Sequence, residues 1–104
     1  MLAHGANNDL DYPLLAFVAQ HLAATIGATV IRFNFPYVER GAEHSSDSAD
    51  TLLATFRRAY EHLAEVTGET GARMFVGGKS LGGRMAAELV SRRPEGDGLQ
   101  AAGL

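Results

Sequence analysis

Residues 76–83 read VGGKSLGG, one lysine and one serine set among four glycines directly after the apolar run Met74-Phe75-Val76. Two chemistries use such a stretch, and they imply different folds. A phosphate-binding loop requires Gly-x-x-x-x-Gly-Lys-Ser/Thr, so that successive backbone N–H groups wrap the phosphates. Five residues before Gly78 stands Arg73, and residues 73–76 lie in the apolar run, which leaves no length for a wrapping loop. The dinucleotide pattern Gly-x-Gly-x-x-Gly has no match either. The pattern Gly-x-Ser-x-Gly does fit, as Gly78, Lys79, Ser80, Leu81 and Gly82. It belongs to a sharp strand-to-helix turn that presents a serine at its tip in a strained backbone conformation. Strand and helix then approach so closely that the positions two before and two after the serine must be small. Gly78 and Gly82 meet that demand, and Gly83 lets the helix pack tightly.

Working outward, the flanks supply the strand and the helix. The run 72–76, ARMFV, is apolar apart from Arg73 and predicts a strand. Met85, Leu89 and Val90 predict an inward helical face, with Arg92 and Arg93 at its carboxyl end and Pro94 as its stop. Upstream, Leu2-Ala3-His4 reads as a strand stub ended by Gly5. Pro13 begins a helix with Asp11 as its expected cap, and Leu14, Leu15, Val18, Leu22 and Ile26 form its core stripe up to Gly27. Residues 28–35, ATVIRFNF, predict a second strand bounded by Gly27 and Pro36. A polar loop is expected over about 36–47. A helix follows, capped by Ser46, Asp47 or Ser48, with Leu52, Phe56, Tyr60 and Leu63 inward and Gly68 and Gly71 at its end. Residues 99–104, LQAAGL, read as the start of another strand. The alternation of strand and helix predicts an α/β fold, a parallel sheet with helices on both faces in a three-layer α/β/α sandwich.

The bulk numbers bound the function. At 104 residues the chain is one domain at most. A net charge of −3 gives no basic footprint for nucleic acid or an anionic membrane, and neither is expected as a partner. With no cysteine, disulfides and cysteine zinc sites are excluded. No apolar stretch approaches the ~20 residues that span a bilayer. The first residues show no basic region leading into an apolar core, and a cytoplasmic location is the expectation.

Three motifs in order carry a resemblance: His4-Gly5-Ala6, then Arg32-Phe33-Asn34-Phe35-Pro36-Tyr37, then Gly77-Gly78-Lys79-Ser80-Leu81-Gly82-Gly83-Arg84. Together they resemble the α/β-hydrolase superfamily, and within it the small dienelactone-hydrolase-like members. The resemblance implies that Ser80 is a nucleophile. It also implies that residues 1–104 are a partial α/β-hydrolase domain holding the third to fifth strands of the family sheet and the start of the sixth. Acyl transfer needs two backbone donors for the oxyanion. Leu81, directly after the serine, supplies one. Ala6, in the loop after the first strand, is the candidate for the second, with Asn7 behind it. Asn7, Asn34, Tyr37 and Lys79 are candidate binding residues, because α/β sheets build their sites at the carboxyl ends of strands. No cofactor and no metal is called for. The expected partner is a small-molecule acyl substrate, an ester, thioester or lactone.

A serine hydroxyl attacks only when a base takes its proton. In this superfamily the acid and the histidine follow the serine in the chain. After Ser80 there is no histidine, and the later acids are Glu88, Glu95 and Asp97. A central fragment is therefore expected, short of its base by roughly a hundred residues at ~30 per βαβ unit. His4 is explained by its place in the His-Gly motif as a structural residue that fixes the oxyanion loop. His21, His44 and His62 read as surface positions. The alternative to a hydrolase is a non-catalytic interaction or scaffold protein on the same fold. A phosphate-binding protein is the third and weakest reading.

Overall fold

In a computed structural model, residues 1–42, 47–68, 74–92 and 100–101 are described. Among them four short strands and four helices follow in the order β1 (Leu2–Ala3), α1 (Pro13–Ile26), β2 (Arg32–Phe33), α2 (Pro36–Glu39), α3 (Ala49–Thr67), β3 (Phe75–Gly78), α4 (Leu81–Ser91) and β4 (Gln100–Ala101). The strands form one parallel sheet in the order β2-β1-β3-β4. Leu2 aligns with Arg32 on one side and with Gly77 on the other, and Phe75 with Gln100.

This order decides where a site can form. From β1 the chain crosses to β2 on one side, then returns past β1 to β3 on the other. Right-handed crossovers then put α1 on one face and α3 and α4 on the opposite face. The packing agrees, since α1 lies on β1 while α3 packs on α4, and α4 on β1 and β3. The loops leaving β1 and β3 diverge to opposite faces, which opens a crevice at their carboxyl ends.

The core sits between the sheet and the α3/α4 layer, where Leu52, Leu53, Phe56, Leu63, Leu81, Met85, Ala86 and Leu89 meet Ala3, Phe35 and Val76. Phe33, Phe35 and Phe56 pack edge to face at its centre, with ring centroids 5.0 to 6.4 Å apart. Ser48 caps α3, its hydroxyl accepting the Thr51 N–H at 3.2 Å. Gly27 and Gly68 end α1 and α3 in the left-handed conformation, with φ of 67° and 69°.

The structure corrects several sequence expectations. Tyr12, not Asp11, occupies the cap position of α1, and no side chain bonds there. Of the α1 stripe only Leu15 is buried, while Leu14 and Ile26 are 45% and 71% exposed. Among the described residues that face of the sheet carries α1 alone, so the stripe has little to pack against. The strand read over 28–35 shortens to Arg32–Phe33, because its neighbour β1 offers only two residues of ladder. The loop read over 36–47 begins instead as the helical turn α2, which Pro36 starts at its first position. The β3 ladder starts at Phe75 and runs on through Gly78. Residues 72 and 73, Gly71, Arg93 and Pro94 lie outside the described residues.

A cavity of about 950 Å³ opens at the amino-terminal ends of the strands, lined by Leu22, Ile26, Val30, Leu63, Val66 and Phe75 among others. It has no ionisable side chain in its wall and lies at the end of the sheet away from the Gly-rich turn. The chemistry is therefore sought at the carboxyl ends.

Candidate active site

Only Lys79 and Ser80 lie between β3 and α4, and Ser80 directly precedes the helix. Its φ of 53° and ψ of −110° make it the only non-glycine with positive φ among the described residues. A side chain in that region costs about 1–3 kcal/mol and persists only where the surroundings impose it. Here the surroundings are the three glycines. A Cβ on Gly78 would lie 2.7 Å from the carbonyl oxygens of both Ala3 and Gly82. A Cβ on Gly82 would meet the Ala3 carbonyl and stand 2.7 Å from the His4 carbonyl oxygen, and one on Gly83 would lie 2.8 Å from the Gly78 carbonyl oxygen. Strand β3, strand β1 and the first turn of α4 thus meet backbone to backbone. The Lys79 N–H donates to Ala3 O at 3.0 Å and closes the wedge.

Among the described residues the serine hydroxyl has no hydrogen-bond partner. Ser80 is exposed, its side chain does not cap α4, and Arg84 N–H bonds its carbonyl at 3.0 Å instead. The next N–H, that of Leu81, donates to no described backbone group. It heads the α4 helix, where the macrodipole favours negative charge.

Alongside the turn runs the loop after β1. Gly5 approaches Lys79 closely enough that a Cβ on it would sit 3.4 Å from the Lys79 carbonyl oxygen. Gly5 N–H donates to Asn8 Oδ1 at 2.7 Å, and Asn8 N–H returns to Gly5 O at 3.4 Å. Further along, Leu10 N–H donates to Asn34 Oδ1 at 2.8 Å and Arg32 donates to Leu10 O at 2.6 Å. The Ala6 N–H donates to no described backbone group.

His4 sits beneath this loop with none of its surface exposed. Its Nδ1 is 2.7 Å from Gly5 O, and its Nε2 is 3.1 Å from the Phe35 N–H. A carbonyl can only accept and an amide can only donate, so Nδ1 carries the proton and Nε2 is the acceptor. Both nitrogens are committed, which removes His4 as a base for Ser80. Burial, partly offset by the bond to Gly5 and the charge of Asp9, holds its pKa below the ordinary value of 6.5. The unfolded chain therefore takes up a proton that the folded chain refuses. Stability from this group is present above about pH 6.5 and is lost as the pH falls toward the lowered folded value. Thermal unfolding followed between about pH 8 and pH 5 should show the midpoint falling below neutrality, and the drop should shrink in His4→Gln.

Two candidate binding residues prove to be engaged inside the fold. Asn34 is half-buried and holds the β1 loop through Leu10. Tyr37 is 1% exposed, and its hydroxyl donates to Ala6 O at 2.8 Å. Tyr37 therefore offers a ligand almost no surface, against the expectation that it lines a pocket. Two others stay at the crevice. Asn7 is exposed in the β1 loop, and Lys79 is half-buried with its ammonium 5.0 Å from the centre of the Tyr12 ring.

Sequence reasoning passed over Asp47 except as a possible cap. Its carboxylate, 5% exposed, accepts from the Tyr37 N–H at 2.8 Å and from the Arg40 guanidinium at 2.8 Å. The signal available was an acid just before the α3 cap, which does not reveal a bond made ten residues upstream.

The later acid Glu88 pairs with Arg92 at 3.0 Å on α4, and His21 stacks on Phe17 at the surface. His44, Glu95 and Asp97 lie outside the described residues. No helix of the described residues is long and apolar enough to cross a membrane. Comparison with known proteins adds one finding: a family model described as an alpha/beta hydrolase domain matches residues 1–104. No curated protein and no solved structure matches the chain.

Proposed function

The chain belongs to the alpha/beta hydrolase domain family, and from that premise we propose that it carries the nucleophile half of a serine hydrolase acting on an ester, thioester or lactone. The observation that carries the reading is Ser80 itself, a strained, exposed serine at a strand-to-helix turn whose hydroxyl caps nothing. In the proposed reaction Ser80 Oγ bonds to the acyl carbon and gives its proton to a general base. The carbonyl oxygen becomes an oxyanion held by the N–H groups of Leu81 and Ala6. The leaving group departs with a proton, and water then hydrolyses the acyl-enzyme to free acid and Ser80. Asn7 and Lys79, beside the serine, are the proposed substrate contacts. The dienelactone-hydrolase-like subtype is proposed on the three motifs that carry the resemblance.

The base has no occupant in position among the described residues, since His4 is fully bonded. We propose that the four strands are the third to sixth of a larger family sheet. The exposed Leu14, Phe17, Ile26, Val66 and Phe75 fit surfaces covered by the rest of such a domain. The isolated 104 residues are accordingly expected to hydrolyse an activated ester at little above the uncatalysed rate. Turnover by the isolated chain that Ser80→Ala abolishes would show that expectation wrong. A scaffold without catalysis is disfavoured, because it has no use for a strained serine with a free hydroxyl. The direct test is a fluorophosphonate probe on the complete protein, followed by peptide mapping. An adduct on Ser80 supports the assignment, and a folded, unlabelled sample sinks it.

A further inference from the structure

An oxyanion donor works only if its peptide is held at one orientation, and the buried phenol of Tyr37 is placed to hold the Ala6 peptides. We propose that Tyr37 is a positioning residue for the oxyanion loop, acting through the carbonyls of Gly5 and Ala6; the inference rests on the reading of Ser80 as nucleophile. Tyr37 lies on α2 with its ring between His4, at 5.9 Å and edge-on, and Phe35, at 6.4 Å and stacked. A phenylalanine would fill that space equally well, so the hydroxyl is what distinguishes the residue. A buried hydroxyl is costly without a partner. This one has two carbonyls, Ala6 O at 2.8 Å and Gly5 O at 3.4 Å, and toward both it can only donate.

The consequence follows from peptide geometry. In a trans peptide the C=O and N–H point in opposite directions. Gly5 O is drawn inward by His4 Nδ1–H and Tyr37 O–H, and Ala6 O by Tyr37. The N–H of Ala6 is thereby turned outward, away from His4 and Tyr37, into the crevice where the β1 loop and the Ser80 turn run side by side. Without the phenol, His4 still holds the Gly5 carbonyl, but the Ala6 carbonyl loses its 2.8 Å bond and the orientation of the Ala6 peptides is held less firmly.

Tyr37 is itself fixed at both ends of its backbone. Its N–H goes to Asp47 Oδ2 at 2.8 Å, its carbonyl accepts the Ala42 N–H at 3.0 Å, and Asp47 is held in turn by Arg40. A buried carboxylate just before α3 thus sets the phenol that sets the oxyanion peptide. Burial and the nearby Asp47 charge raise the phenol's pKa, which keeps it a proton donor.

The test is the second-order rate of Ser80 phosphonylation by a fluorophosphonate in the complete protein. It is compared for wild type, Tyr37→Phe and Asp47→Asn, with thermal midpoints measured on the same samples. Tyr37→Phe is expected to slow labelling about tenfold, less than the ~10²–10³ lost when a donor is deleted outright. Asp47→Asn keeps an acceptor for the Tyr37 N–H and drops the charge toward Arg40, and should slow labelling by about threefold. A wild type that does not label overturns the nucleophile reading and this inference with it. A wild type that labels, with Tyr37→Phe equally fast and only less heat-stable, overturns this inference alone. Should Tyr37→Phe fail to fold, an unchanged rate in folded Asp47→Asn overturns it instead.

Discussion

Gly82→Ala is expected to destroy the fold around Ser80, at a cost of about 4 kcal/mol or more, among the largest effects a single methyl group can have. The added carbon would stand 2.5 Å from the carbonyl carbon of Ala3 and 2.7 Å from the carbonyl oxygen of His4. Both are backbone atoms of β1 and the loop it feeds, so no side chain can swing aside. Relief requires β1 to move away from α4. That movement breaks the Lys79 N–H bond to Ala3 O and the ladder between β1 and β3, and it lifts His4 off the Phe35 N–H. Ordinary overpacking costs about 1–3 kcal/mol because flexible neighbours share the strain, and here no such neighbour exists. Against a total stability of roughly 5–15 kcal/mol for a domain, the loss removes a large share of the margin. Gly27→Ala is the control. Gly27 has a φ of 67° but nothing within 4 Å of a modest added carbon, so only the left-handed penalty of about 1–2 kcal/mol applies. Urea unfolding of the two variants should separate them clearly, and a Gly82→Ala protein within about 1 kcal/mol of wild type would refute the clearance role of the glycine.

The elbow was legible in the sequence because its chemistry is local. Spacing alone shows that Gly78 and Gly82 flank Ser80, and the apolar run and helical stripe on either side fix the turn as strand-to-helix. The alternation of elements likewise gave the parallel α/β fold. Three things were not legible, each for a physical reason. The length of β2 depends on how far β1 extends beside it, which residues 28–35 do not encode. The exposure of the α1 stripe depends on what packs on that face, while periodicity reports only that the helix is amphipathic. The roles of Tyr37 and Asp47 depend on contacts 31 and 10 residues away in the chain, between loops whose mutual position only the fold sets. The sequence placed Tyr37 at the correct end of the sheet but could not say which way its ring turned. The turn from pocket wall to inner support follows from α2, which winds the chain back under the β1 loop.

Ser80→Gly should abolish function and stabilise the protein at once. Loss of the hydroxyl removes the proposed nucleophile, and removal of a serine nucleophile costs on the order of 10⁴–10⁶ in turnover. Phosphonylation at this position should disappear in both Ser80→Gly and Ser80→Ala. The two variants part on stability. Alanine keeps the Cβ that makes φ of 53° and ψ of −110° unfavourable, so its strain is unrelieved and its melting temperature should stay near wild type. Glycine adopts that conformation freely, releasing about 1–3 kcal/mol of strain. It loses roughly 0.5–1 kcal/mol to the greater freedom of the unfolded chain. The net gain of about 1 kcal/mol corresponds to a rise of roughly 4–8 °C for a chain of this size. The proposed nucleophile thus sits where the fold would prefer glycine, and the strained backbone holds its side chain at the tip of the turn. Differential scanning calorimetry of wild type and both variants reads the contrast. Equal melting temperatures for Ser80→Gly and Ser80→Ala would mean that the turn stores no strain, and the strongest structural reason for assigning Ser80 a catalytic role would be gone.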